Sequence, residues 1–407
     1  AGLWGFARSA INEYADLDIR LVDLASDLDA DTAVPLIETL IESAPNLSEF
    51  IVTPTALAGL EVRRGSPPAR RPTAPSNEDD RYDEGATVLE LTETGDLSAL
   101  RWTARDRRAP AAGEVEIEVA AAGLNFRDVM WSLGLLPEEA LEDGFAGPTV
   151  GFECSGRIVR VGDGVADFAA GDRVIAMAPA CFASHVTVTR DAVARLPDNV
   201  ALTDAATIPV AFLTAYYALD HLAALKQDEW VLIHGAAGGV GLAAIQVAKR
   251  AGARIVATAG SEEKRNVLRA LGADHVLDSR SLDFVEQVCG LTGGGVDVAL
   301  NSLAGEAMER SIELMRPFGR FLELGKRDFY ANTKIGLRPF RRNVSYFGID
   351  ADQLLTYRPD VVRRVFSKIV TGFADGTFTP LPYRAFGANS VIDAFRLMQK
   401  SGHIGKI

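Results

Sequence analysis

One stretch constrains this chain more than any other: Trp230-Val-Leu-Ile-His-Gly-Ala-Ala-Gly-Gly-Val-Gly241, continuing into an apolar-patterned run that ends at Arg250. A buried strand, a glycine turn and a helix in that order leave few folds open. Gly235, Gly238 and Gly241 repeat as G-x-x-G-x-x-G. Ala237 stands where the dinucleotide pattern G-x-G-x-x-G has its middle glycine. Small residues let the backbone approach a pyrophosphate. The helix that follows offers unpaired N–H groups and the positive end of its dipole. The turn therefore reads as a nucleotide site built from Gly235, Gly238, Gly239, Val240 and Gly241. A tight turn with a purely structural role is the alternative.

The rhythm continues through Arg254-Ile-Val-Ala-Thr, Val276-Leu-Asp, Val296-Asp-Val-Ala-Leu and Arg320-Phe-Leu-Glu-Leu. Strands alternating with helices imply a doubly wound parallel sheet, the Rossmann arrangement. In sites for unphosphorylated NAD, a carboxylate commonly ends the second strand and bonds the ribose 2′-hydroxyl. Here that tip carries Thr258 and Ser261, with Lys264 close behind and Arg280 after the third strand. Cations suit a 2′-phosphate, so these four residues point to NADPH. Ordinary solvated helix residues are the alternative reading of Lys264 and its neighbour Arg265.

Three further regions precede this one. Residues 1–62 alternate helix and strand, with expected helices near Leu3–Ala10 and over Thr32–Ser43, and strands at Ile19–Asp23 and Phe50–Thr53. Residues 63–85 are rich in Pro, Arg and Ser and read as a linker. From residue 86 short strands recur between turn signals: Val115-Glu-Ile-Glu-Val-Ala, Arg157-Ile-Val-Arg-Val-Gly, Asp172-Arg-Val-Ile-Ala-Met and His185-Val-Thr-Val-Thr. That spacing suggests a β-barrel-like domain.

Composition narrows the partners. A net charge of −13 over 407 residues argues against sequence-independent binding to nucleic acid. Ala205–Leu219, a long apolar stretch, is too short to cross a bilayer and contains Pro209. Cys154, Cys181 and Cys289 are sparse and show no CxxC spacing, which fits core thiols in a reducing, cytoplasmic setting. The start, without Met and already amphipathic, is expected to be cut from a longer chain.

Specific motifs lie on this frame. Ala121-Ala-Gly-Leu-Asn-Phe-Arg-Asp-Val-Met130 and Gly151-Phe-Glu-Cys-Ser-Gly156 resemble the medium-chain dehydrogenase/reductase superfamily over residues 86–407. Its zinc alcohol dehydrogenases have Cys and His where this chain has Asn125 and Phe152, and a four-cysteine lobe that this chain lacks. No metal is therefore expected. Leu-Asn-Phe-Arg-Asp, Ala-Ala-Gly-Gly-Val-Gly, Leu300-Asn-Ser-Leu-Ala-Gly and Glu323-Leu-Gly-Lys-Arg-Asp together resemble the enoyl reductase domain of a reducing type I polyketide or fatty acid synthase. Gly134–Pro148 resembles the mycocerosic-acid-synthase-like group. Leu3-Trp-Gly-Phe-Ala-Arg-Ser with Leu21-Val-Asp-Leu resembles the tail of a ketoreductase structural subdomain.

The resemblance implies an α/β fold with a Rossmann domain (211–350) inserted in a GroES-like β-barrel substrate domain (86–210 and 351–407), after the N-terminal α/β fragment. It implies NADPH-dependent reduction of a trans-2-enoyl thioester carried by the phosphopantetheine of an acyl carrier protein, beside neighbouring synthase domains, as a monomer or homodimer. Lys326 matches the lysine of the family's Gly-Lys-x-Asp motif and Asp352 its partner, with Asp350 a close competitor. The implied roles are proton donation or thioester polarisation by Lys326, oriented by Asp352. A structural ion pair is the alternative. The resemblance also places Asn125, Thr214, Asn301, Ser302 and, more weakly, Lys406 at the cofactor. Leu136 stands where many modular enoyl reductases have a tyrosine linked to α-methyl stereochemistry. Rival readings are a free-standing quinone oxidoreductase-like protein and a catalytically silent scaffold. Lys334, Arg338, Arg341 and Arg342 form a basic cluster on an acidic chain. It reads as a docking site for a carrier or its phosphate, or as a solvated loop.

Overall fold

The computed structural model describes residues 21–24, 34–35, 49–53, 56–59, 85–137, 139–142 and 144–407. It divides into two units, Ala1–Arg81 and Tyr82–Ile407. In the first, β1 (Leu21–Leu24) pairs in parallel with β2 (Glu49–Thr53), which pairs antiparallel with β3 (Ala56–Gly59). The helix expected near Leu3, most of Thr32–Ser43 and nearly all of the linker lie outside the described residues; Val34–Pro35 are helical.

The second unit begins with a hairpin, β4 (Ala86–Leu91) and β5 (Leu100–Arg105). Next come β6 (Glu114–Gly123), β7 (Glu153–Val161), β8 (Arg173–Met177), β9 (His185–Thr189) and β10 (Val193–Arg195). They form an antiparallel sheet in the order β10-β8-β7-β6-β9. Alternating apolar and charged residues explain the half-buried strands, with one exception. Glu116 lies 1% exposed between Val115 and Ile117. Burial raises its pKa, yet hydrogen bonds from Arg107 and Arg160 overcome this and hold the carboxyl down at about 2. Helix α1 (Phe126–Ser132) leaves β6 through Asn125, and buried Asp128 accepts the N–H of Asn125 (2.8 Å) and of Gly151 (2.9 Å).

The parallel sheet comprises β11 (Trp230–Ile233), β12 (Arg254–Ala259), β13 (His275–Asp278), β14 (Val296–Asn301), β15 (Met315–Glu323) and β16 (Ser345–Gly348). Its order, β13-β12-β11-β14-β15-β16, reverses direction beside β11, where doubly wound sheets open a crevice for ligands. Helices α2 (Pro209–Tyr216), α3 (Gly239–Arg250), α4 (Glu262–Ala270), α5 (Phe284–Thr292) and α6 (Glu306–Glu313) flank the series. The chain then adds α7 (Ala351–Tyr357), α8 (Pro359–Ala374) and α9 (Val391–Gln399). The expected fold, a Rossmann sheet combined with an antiparallel barrel-type sheet, is the fold of this unit.

Both sheets share one core. Ile117 and Ile175 of the antiparallel sheet, Phe212 of α2, Val231 of the parallel sheet and Phe366 of α8 belong to the same buried cluster. Phe212 meets the rings of Phe373 (4.9 Å) and Phe378 (5.4 Å). Such packing makes the crevice between the sheets a rigid feature. Residues 405–407 cross it: the Gly405 N–H donates to Ala237 O (2.8 Å), and the Leu124 N–H donates to Ile407 O (2.9 Å). Cys154 and Cys181 are buried as expected. Cys289 is exposed, because it lies on the solvent side of α5.

Candidate active site

The crevice holds a cavity of about 340 Å³ lined by Leu124, Asn125, Ser302, His403, Lys406 and the whole glycine turn from His234 to Gly241, apart from buried Ala236 and Ala237. Gly235 has φ +60°, and an added Cβ would sit 2.9 Å from Ser302 Oγ. At Gly241 a Cβ would come within 2.5 Å of Ala236 Cα, so the glycine is what lets α3 start against β11. Gly238 caps α3 without a side-chain bond, leaving the first-turn N–H groups directed at the cavity floor. The five predicted turn residues thus line one surface.

Beneath the turn, His234 acts as a fastener. Its Nε2 lies 3.0 Å from Ser311 Oγ, which donates to Ala307 O (2.7 Å) and so accepts from the ring. Nδ1 then accepts from Thr258 Oγ1 (2.9 Å). Burial drives the imidazole pKa down to about 3, which keeps it neutral. This bond also corrects an expectation. Thr258 is fully buried and turned under the sheet toward His234, so it does not present its hydroxyl to a ligand.

Ser261 caps α4, accepting the Lys264 N–H (3.4 Å). Lys264 Nζ donates to Ser401 O (2.6 Å), and Ser401 lines the cavity. Burial pulls the Lys264 ammonium below the usual lysine range; Glu263 opposes the shift and Arg280 adds to it. Arg280 lies over the same turn, its Nε 3.2 Å from where a Gly260 Cβ would be. His403 contributes a buried Nδ1 with no hydrogen-bond partner. Lys264 therefore adjoins the cavity through Ser401, close enough to the cavity-lining His403 to act on its charge, while Arg280 acts in turn on Lys264. His403 carried no sequence signal, because it reaches the crevice only when the C-terminal segment folds back.

At the other end, Lys406 Nζ donates to Leu124 O (3.0 Å), to Asn125 Oδ1 (2.9 Å) and to Glu153 Oε1. Glu153 is fully buried and also accepts from Asn125 Nδ2 (2.9 Å) and the Val210 N–H (2.8 Å). The ammonium has no donor to spare, whereas its alkyl chain covers Gly239. Lys406 thus lines the cavity with methylenes while neutralising Glu153, a residue that motif reading passed over. Thr214 is buried within α2 and does not line the cavity. The same helix presents Ala211 instead, one turn earlier.

Asn301 and Glu323 end β14 and β15 as register partners. Asn301 Nδ2 donates to Glu323 Oε2 (2.7 Å) and Leu303 O (2.8 Å), and the Gly325 N–H donates to Glu323 Oε1 (2.6 Å). Asn301 is fully buried, so it shapes the loop that presents Ser302 and does not itself face the cavity. Burial raises the Glu323 carboxyl to about 7, against the bonds from Asn301 and Gly325.

Lys326 leaves β15 two residues after cavity-lining Leu324. Its Nζ lies 2.6 Å from Asp350 Oδ2 and 3.3 Å from Ile349 O. Asp352 is not its ion-pair partner. Asp350 caps α7, accepting the Asp352 N–H (3.1 Å), which turns the Asp352 side chain to the other side of the helix start. There Asp352 accepts the Ala146 N–H (2.9 Å) and lies 3.3 Å from Arg127 Nε. Arg127 also donates to Thr149 O (3.1 Å) and Gly147 O. Burial raises the Asp352 pKa. Among the described residues, no group of three or more His, Cys, Asp or Glu is placed to hold a metal ion.

Comparison with known proteins agrees with this architecture. The family model for alcohol dehydrogenase GroES-like domains matches residues 111–202, and that for zinc-binding dehydrogenases matches residues 239–367. All of this chain aligns at 39% identity with a phenolphthiocerol/phthiocerol polyketide synthase of Mycobacterium tuberculosis, of which it spans 19%. The CurK enoyl reductase structure superposes with a TM-score of 0.74 and 40% identity, over 79% of this chain and 98% of that one. The mycobacterial protein Rv1454c, solved with NADPH, gives a TM-score of 0.69 at 25% identity over 79% and 98%. With its parallel sheet, its glycine turn and a near-complete match to a solved enoyl reductase, this chain belongs to the polyketide-synthase enoyl reductases of the medium-chain dehydrogenase/reductase superfamily.

Proposed function

We propose that this chain reduces the carbon–carbon double bond of a trans-2-enoyl thioester, with NADPH as reductant and an acyl carrier protein as the bearer of the substrate. The observation that carries this reading is the cavity: an anion-receptive glycine turn at one wall, Lys264 bonded to the cavity-lining Ser401 with Arg280 acting on its charge, and Ser302 and Leu324 lining it just after the adjacent strands β14 and β15. The chain's residues fit the cofactor. Gly235, Gly238, Gly239, Val240 and Gly241 would hold the pyrophosphate, and Lys264, Arg280, Ser261 and His403 the phosphorylated ribose. Asn125 and Ser302 would face the nicotinamide end, against the methylenes of Lys406. When bound, NADPH supplies the hydride that the β-carbon takes up.

The chain supplies position and charge. The locked His234–Thr258–Ser311 network keeps the turn from shifting. The Lys326 ammonium stabilises negative charge at the thioester oxygen and passes one proton to the α-carbon, balancing the hydride gained at the β-carbon. Asp350 orients that ammonium, while Arg127 and Asp352 hold the Ala146–Thr149 segment against α7. The test is NADPH consumption with crotonyl-pantetheine, beside a simple quinone and beside NADH. Rapid loss specific to NADPH and the thioester supports the reading. Preference for the quinone, or tight NADPH binding without turnover, overturns it.

A further inference from the structure

The chain between Lys326 and Asp350 carries a feature that reduction of the double bond does not use. Residues 327–342 contain five cations, Arg327, Lys334, Arg338, Arg341 and Arg342, and one carboxylate, Asp328, on a chain of net charge −13. This segment is pinned from below. Ile335 and Phe340 pack on the core cluster under the outer strands of the parallel sheet, and Arg342 donates to Glu313 O (3.0 Å). Thr333 Oγ1 donates to Asp328 Oδ1 (2.8 Å), and Asp328 Oδ2 accepts the Gly305 N–H (3.0 Å). With the inner side chains fixed, the outer ones face solvent. Leu337 is 78% exposed and Phe329 38%. Lys334, Arg338 and Arg341 are exposed, and among the described residues none of the three has an ion-pair partner.

Three exposed cations around an exposed leucine, on a molecule of net charge −13, form a local surface that complements a partner of opposite charge with an apolar spot. Both ends of the segment are tied to the Lys326–Asp350 pair, one through β15 and the other through β16. We infer that Lys334, Leu337, Arg338 and Arg341 form the docking surface for the acidic carrier domain, steering it by charge so that its pantetheine arm reaches the crevice at Lys326. This rests on the enoyl reductase reading above.

The experiment compares two substrates. One is crotonyl-pantetheine, free of phosphate and protein; the other is the same crotonyl thioester on the carrier domain of a reducing polyketide synthase. The double variant R338E/R341E is expected to raise KM for the carrier-borne substrate by about tenfold or more, an effect that shrinks with added salt, and to leave crotonyl-pantetheine kinetics unchanged. An unchanged KM for the carrier-borne substrate overturns the docking inference alone, and so does an equal loss on both substrates. Failure of the unaltered chain to reduce either thioester overturns the enoyl reductase reading, and this one with it.

Discussion

Lys326 Nζ and Asp350 Oδ2 stand 2.6 Å apart, joining the end of β15 to the start of α7. Two residues further on, Asp352 faces the other way and pairs with Arg127. The two carboxylates therefore separate into different tasks, and substitution distinguishes them. Lys326→Ala is expected to lower kcat about a hundredfold, within the range of a lost general acid. Asp350→Asn is expected to lower kcat about tenfold with little change in KM, since the lysine loses its orienting partner. Asp352→Asn is expected to act on stability and KM. Steady-state kinetics with crotonyl-pantetheine checks all three, and equal kcat losses for Asp350→Asn and Asp352→Asn would contradict the division.

In the proposed function, cofactor preference is assigned to Lys264 and Arg280. A charge-assisted hydrogen bond contributes roughly 1.5–3 kcal/mol, so Lys264→Ala and Arg280→Ala are each expected to weaken NADPH binding by about tenfold or more. NADH, which lacks the 2′-phosphate, should change by about twofold at most. Fluorescence titration with both nucleotides reads the difference. A parallel loss for NADH would assign these cations to fold stability.

Glu323 gives a pH signature. Its folded pKa, about 7, lies above the value of 4.5 for a free glutamate, so the folded state holds the proton more tightly. Stability therefore falls as pH rises from about 4.5 to about 7, then levels off. Glu323→Gln mimics the protonated form and should flatten that slope, worth roughly 1–3 kcal/mol. Urea unfolding at pH 5, 6, 7 and 8 tests this, and an unchanged slope in the variant would rule the carboxyl out as the cause.

The Lys406–Glu153 pair is expected to behave as a buried unit. Lys406→Met leaves a carboxylate in the core without its cation, at a cost of about 3–5 kcal/mol. Adding Glu153→Gln should recover much of that loss. Chemical denaturation of the two single variants and the double variant provides the cycle. Additive losses would show that the two residues act separately.

Much of this molecule was legible in its sequence, for physical reasons. The periodicity of Trp230–Arg250 and of the strands after it reports burial that is decided locally, and glycine reports a backbone constraint at two positions, a positive φ at 235 and a close approach to Ala236 at 241. The strand spacing of residues 115–189 announced the second sheet, and Lys326 was marked by its motif. Side-chain partners were another matter. Thr258 and Ser261 lie three residues apart, yet one faces the core and the other caps a helix. Asp350 and Asp352 differ by the rotation of one helical start. Glu153 meets Lys406 across 253 residues, and His403 enters the crevice on a returning segment. Hydrophobic pattern and turn chemistry are properties of neighbours along the chain, so sequence alone determined the elements, their order and the nucleotide turn. Ion pairing, buried pKa values and the facing of each side chain depend on which distant elements share a low-dielectric space, and tertiary structure alone decided those.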